Sequence, residues 1–164
     1  MYKRQLLTRI QFPNGLEIDW YNTHTQASYR SQKQRSLVRE KQIASLLDFM
    51  NEHSDGSRPI VLTGDLNINE DNNGYKAIMN AEFTDVMRTL KPNKELYPLT
   101  TLRKSNPLRE LKLDHVFLKP GQNHQWLPEH SQSEIFDLAL SDHRGVLSKI
   151  AFEPKGTKRC QAGI

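Results

Sequence analysis

Asp65 and Asn67, in Gly64-Asp-Leu-Asn67, place a carboxylate and an amide oxygen two residues apart. In extended chain, side chains two apart share a face, so both polar groups point one way and Leu66 points back. Two oxygens on one edge suit a hard divalent cation or an activated water. Gly-Asp-x-Asn is also good turn chemistry, and the tetrapeptide alone does not separate the two. An EF-hand calcium loop is excluded: the position that must be glycine is Glu70, and the closing glutamate position is Lys76.

Ser141-Asp-His143 sets an acid beside an imidazole, the components of a general base. It is not a serine-protease triad, because adjacent side chains in extended chain diverge. A solvated loop is the plain alternative. Asn22-Thr-His24 supplies a second imidazole, able to hydrogen-bond a phosphate oxygen in a transition state, or simply to cap a strand. Asp114 lies beside Leu113 and Val116, mid-strand in an apolar segment. A carboxylate there is costly unless it is paired or bound to a metal.

The elements that must position these groups follow from periodicity. Leu16, Ile18, Trp20 and Asn22 alternate with Glu17, Asp19 and Tyr21, which predicts a strand over 16–23. Asn14-Gly15, with Ile10 and Phe12 upstream, predicts a hairpin into it. Ile43, Leu46, Leu47 and Met50 form one apolar stripe of a helix over 32–53, closed by Ser54-Asp-Gly56. Pro59 to Thr63 reads as a short buried strand ended by Gly64, and 69–74 as polar loop. Short helical pieces are expected at 75–80 and 83–90, an irregular stretch at 91–110, and a strand at 111–118. A long loop over 120–140 and a last strand over 145–152 complete the chain. This is a mixed α/β layout, of the α+β type with a mixed sheet. Its polar motifs fall at strand ends: His24 after the first strand, Asp65 after the second, Asp142 before the last.

Bulk properties narrow the field. The chain of 164 residues is one domain or part of one. No apolar run approaches the roughly 18 residues a membrane span needs. The net charge of +4 is outweighed by five terminal basic residues, Lys3, Arg4, Lys155, Lys158 and Arg159. The body is therefore near neutral, and the basic balance is weak support for a polyanionic partner. Cys160, the single cysteine, excludes an internal disulfide and a cysteine-rich zinc site. No protein partner is indicated. Met1-Tyr-Lys-Arg-Gln5 is no signal peptide. Read back as GTG-TAT-AAG-AGA-CAG, it matches a transposon-adapter end used in shotgun sequencing, so genuine sequence is expected to start near Leu6.

Taken together, Asn22-Thr-His-Thr-Gln26, Arg39 with Gln42, Gly64-Asp-Leu-Asn67, Leu113-Asp-His-Val-Phe117 and Ser141-Asp-His143 follow the order of motifs in the endonuclease/exonuclease/phosphatase superfamily. The chain resembles that family over about residues 10–153. Members include deoxyribonuclease-I-like nucleases, neutral sphingomyelinases and inositol polyphosphate phosphatases; Asn-Thr-His-x-Gln is similar to the sphingomyelinase form. The resemblance implies a four-layer sandwich, two packed mixed sheets with outer helices, of which this chain is the C-terminal half. Residues 6–153 would form that half-domain, 1–5 the adapter scar and 154–164 a flexible basic tail. It implies hydrolysis of phosphoesters by in-line water attack with Mg2+, or with Mn2+ or Ca2+. His143 would be the general base or acid, oriented by Asp142. Asp65 would position the water, Asn67 the scissile phosphate, and His24 would stabilise developing charge. Asp114 would orient His24 or assist a second metal. Asp142, Asp65 and Asn67 are the metal candidates. Substrates would be nucleic acid, phospholipid or a phosphorylated small molecule, with Arg30 or Arg103 as conceivable phosphate contacts.

One departure bears on activity. The family carries an Asn and a Glu, the main Mg2+ ligand, in an N-terminal half that this sequence does not contain. The chain is expected to supply about one sheet with one face exposed, and to be poorly folded and inactive alone. The competing function is a noncatalytic interaction module on the same scaffold.

Overall fold

The computed structural model describes residues 5–27, 32–93, 111–137 and 141–156. Most of the stretch 91–110, most of the adapter and tail segments, and Arg30, Arg103 and Cys160 lie outside the described residues.

The chain opens with the expected hairpin. Strands β1 (Gln5–Gln11) and β2 (Glu17–Thr23) pair antiparallel. Gly15 takes φ +83° in the turn, and the Asn14 side chain accepts from Leu16 N. Helix α1 (Gln32–His53) then crosses over to β3 (Ile60–Asp65), which runs parallel to β2. A parallel pair needs such a crossover, and its result is that β2 and β3 end at the same sheet edge. Helix α2 (Asn73–Asn80), a two-residue strand β4 (Thr84–Asp85) and helix α3 (Val86–Leu90) follow. Strand β5 (Asp114–Lys119) is antiparallel to β3, so it begins where β3 ends. The sheet order is β1-β2-β3-β5-β4.

Each face of this sheet buries its own cluster. On one, Ile43, Leu46 and Met50 of α1 pack with Tyr21, Leu62 and Phe117, joined by Ile78 of α2. The stripe read from the sequence is the buried one, with Leu47 only partly covered. On the other, Ile18, Val61, Val116 and Leu118 meet Val86. The expectation that this face stands open needs correction. Partly buried Leu90, Trp126, Val146, Ile150 and Phe152 cover much of it. Exposure persists at the β1–β2 end, at Leu6 and Trp20.

The long loop expected over 120–140 is also corrected. It holds β6 (His124–Trp126), a 3-10 turn (Pro128–His130) and β7 (Gln132–Phe136). The expected last strand is two strands, β8 (Gly145–Lys149) and β9 (Phe152–Pro154). The chain leaves one partner for another: β8 pairs with β7, and β9 with β6. Buried Ser131 fixes the changeover. Its hydroxyl donates to Leu127 O and accepts from Trp126 Nε1 and Ala151 N. At the start of the segment expected as a tail, Lys155 N donates to Asn123 O.

Candidate active site

The shared edge of β2, β3 and β5 gathers the polar motifs. Asp65, last in β3, is the register partner of Asp114, first in β5. Asp114 therefore heads its strand rather than lying in the middle, as its sequence neighbours suggested. Beyond β3 the two chains stay joined, with Leu66 N donating to Leu113 O at 2.9 Å. Beyond β2, Thr25 N donates to Asp65 O at 3.0 Å, which sets His24 beside Asp65. The Thr25 hydroxyl donates to Leu66 O. Helix α1 clamps the next residue: Gln42 Oε1 accepts from Gln26 N, and Arg39 donates to Gln26 O. The Arg39/Gln42 motif thus supports the loop that carries His24.

The turn and site readings of Gly64-Asp-Leu-Asn67 both hold. Asn67 adopts φ +50°, a left-handed conformation that asparagine tolerates, and its N–H donates to Asp65 Oδ1 at 3.1 Å. Its side-chain nitrogen donates to Thr25 O at 3.3 Å, which turns the amide oxygen the other way. Leu66 is fully buried, as alternation required. Gly64 has φ +142°, and a Cβ there would lie 1.8 Å from Thr23 O. Close approach of β2 to β3 at the site thus depends on a missing side chain. Gly64→Ala is expected to cost at least about 3 kcal/mol. That corresponds to a fall of roughly 6–12 °C in Tm for a chain of this size. Thermal denaturation followed by circular dichroism measures it, and an unchanged Tm would show that the two strand ends part freely.

His143 reaches the same edge from the start of β8. Its backbone N–H is held by Ser141 Oγ at 3.0 Å, and its Nδ1 lies 2.7 Å from Asp114 Oδ2. Asp114, not Asp142, is therefore the carboxylate that orients this imidazole. Asp142 is exposed, as an immediate neighbour pointing away should be. Nor does the geometry pair Asp114 with His24, whose Nε2 lies 3.3 Å from Asp65 Oδ2. His143 Nε2 lies 3.9 Å from that same oxygen. Asp65 Oδ2 thus has two imidazoles within 4 Å. The signal for the Asp114–His143 pair, an acid in an apolar segment, was present, but the imidazole it holds lies 29 residues away.

Electrostatics follow from this crowding. Asp65 has its carboxyl pKa raised, first by burial and then by the charge of Asp114 beside it. Burial lowers the pKa of His143, but the hydrogen bond and charge of Asp114, with Asp65 and Asp142, outweigh it and raise the net value. The imidazole is thus more basic folded than unfolded. Its contribution to stability is fully present below the unfolded pKa of about 6.5 and is lost as pH rises through the higher folded value. An NMR titration should place the His143 midpoint above that of a model imidazole, and Asp114→Asn should lower it. A midpoint at or below that of a free imidazole would remove the dyad.

Asp65, Asp114 and His143 present ligand atoms within 4.8 Å of one another. This group could hold a divalent metal. A cation between two half-buried carboxylates would relieve the repulsion that raises the pKa of Asp65. Asn67 adjoins the group through its bond to Asp65, whereas Asp142 is outside it.

No family model matches the sequence, and no curated protein matches it. Solved structures match by shape. One is an endonuclease/exonuclease/phosphatase protein from Beutenbergia cavernae, with TM-score 0.65 and 20% identity, covering 90% of this chain and 39% of that one. Another is zebrafish (D. rerio) TDP2 complexed with a single-strand DNA product, with TM-score 0.63 and 18% identity, covering 92% of this chain and 62% of that one. A third is a mannosyl-6-phosphatase from Bacteroides thetaiotaomicron, with TM-score 0.62 and 18% identity, covering 91% and 57%. The chain therefore has the fold of endonuclease/exonuclease/phosphatase structures, over a stretch that spans 39–62% of the length of these three.

Proposed function

We propose that the protein is a divalent-metal-dependent hydrolase of phosphoesters. The observation that carries this is the arrangement around Asp65 Oδ2. One imidazole lies at 3.3 Å, a second at 3.9 Å, and the second is held by Asp114 at 2.7 Å. With Nδ1–H donated to Asp114, neutral His143 keeps Nε2 as the proton acceptor, directed toward Asp65. A water approaching between His143 and Asp65 would lose its proton to Nε2 as it attacks phosphorus. Asp114 would then stabilise the imidazolium. His24, the more exposed imidazole, would donate to a phosphate oxygen, and Asn67 would orient the phosphate. A bound Mg2+, held by the hard oxygens of Asp65 and Asp114, would neutralise charge on the phosphate oxygens; Mn2+ and Ca2+ are the alternatives. The fold shared with a DNA-bound structure and a sugar phosphatase supports phosphoesters as the class, whether nucleic acid, phospholipid or phosphorylated small molecule.

We further propose that these 164 residues carry part of the machinery. They span 39–62% of the three structures above, and the family's main Mg2+-binding Glu has no counterpart among the motifs found.

The test uses protein expressed from the complete gene, assayed on a generic phosphodiester, DNA, a phospholipid and a sugar phosphate. Hydrolysis of one of these is expected, abolished by a chelator and restored by Mg2+. Failure on every substrate across divalent metals would overturn the hydrolase reading and leave the interaction module.

A further inference from the structure

A buried polar cluster lies on the helix-covered side of the sheet, directly behind the site. Lys112 Nζ pairs with Asp85 Oδ2, and both side chains are almost fully buried. Tyr75 Oη donates to the same oxygen at 3.2 Å, while Asp85 Oδ1 accepts from Arg88 N. His115, wholly buried, stacks on Phe117 with centroids 5.0 Å apart and planes 10° from parallel. Its Nε2 lies 2.9 Å from Ile68 O. A carbonyl only accepts, so Nε2 carries the hydrogen. Its Nδ1 faces Asp85 Oδ2 at 3.6 Å.

Stability alone does not explain such a cluster, because buried ion pairs exchanged for well-packed apolar side chains often cost nothing. Its location does. His115 follows Asp114, Lys112 precedes it by two, and Ile68 follows Asn67. The imidazole therefore bridges the two segments whose preceding residues, Asn67 and Asp114, form the site. We propose that His115 is a positioning residue: by tying Ile68 O to β5 it fixes the Asn67 turn and Asp114 relative to one another, and through Asp114 the imidazole of His143. Asp85, anchored by Lys112, Tyr75 and the start of α3, keeps the His115 ring from rotating.

The catalytic part of this inference rests on the hydrolase reading, so the experiment carries two readouts. One is steady-state kinetics of the protein from the complete gene. The other is the downfield proton resonance of His143 Nδ1–H bonded to Asp114, which needs no turnover. His115→Phe keeps the stack on Phe117 but cannot donate to Ile68 O. It is expected to lower kcat about 10–100-fold, the usual penalty for losing a supporting hydrogen bond, with little change in KM. It should also shift or broaden the His143 resonance. His115→Gln extends a donor to a similar place and should restore both. Ile78→Val, in the same core but away from the site, should lower Tm while leaving kcat and the resonance unchanged. If His115→Phe does not fold, His115→Met makes the same deletion with a more adaptable side chain. An unmoved resonance with unchanged kcat in a folded His115 variant overturns the positioning role. A moved resonance in a protein without turnover keeps that role and sinks the hydrolase reading instead.

Discussion

Replacing His143 with alanine in the protein from the complete gene is expected to lower kcat by about 10²–10⁴-fold, the usual contribution of a positioned general acid or base. The expectation follows from two bonds. Asp114 at 2.7 Å holds the ring, and Ser141 Oγ holds the backbone beneath it. Alanine retains the backbone contact and the fold while removing the proton acceptor, so KM should change far less than kcat. Asp114→Asn should give a smaller but parallel loss, since it leaves the imidazole present and poorly oriented. The double variant should then fall short of the sum of the two losses, because Asp114 acts in part through His143, and any loss beyond His143→Ala alone would report its hold on the metal. Fully additive losses would show that Asp114 does not act through His143 at all. An unchanged rate in His143→Ala would remove the histidine from the chemistry altogether.

The second large effect concerns the 164 residues taken alone. They are expected to show no metal-dependent turnover of a generic phosphodiester, although Asp65, Asp114, His24 and His143 already stand together. Two carboxylates and an imidazole give a divalent ion few hard donors, and Mg2+ held mainly by water binds weakly. Purified chain should therefore need millimolar or higher Mg2+ for any rise in Tm, whereas protein from the complete gene should respond at lower concentration. Stoichiometric Mg2+-dependent hydrolysis by the 164 residues would refute this and make the three-residue group sufficient.

Much of this was readable from the chain. Ile43, Leu46 and Met50 marked the buried stripe of α1, and the Asn14-Gly15 turn marked the hairpin, because local periodicity and backbone preference set both. Strands β6 and β7 were not readable. His124–Trp126 is three residues long, and Gln132–Phe136 is largely polar; each exists through a partner strand later in the chain, β9 for the first and β8 for the second. The site followed the same division. Strand-end placement of His24 and Asp65 was legible. The partner of His143 was not, because adjacency in sequence favours Asp142 while the antiparallel return of β5 delivers Asp114. Diverging neighbours in extended chain already argued against Asp142. Lys112 and His115 looked like ordinary alternating positions, and only the fold reveals them as a buried polar support.

The edge where β2, β3 and β5 meet also fixes an order of events in time. Its four key side chains come from positions 24, 65, 114 and 143, and no two are neighbours in the chain. Loops between them must close before any contact rewards the closure, so the last of these groups to arrive does so late in folding. A nascent chain emerging only as far as β7 would hold all the strands of the five-stranded sheet and still lack the imidazole of His143. On the hydrolase reading proposed above, the group around Asp65 would therefore be complete only when folding has finished, and a chain caught partway would carry no half-built centre.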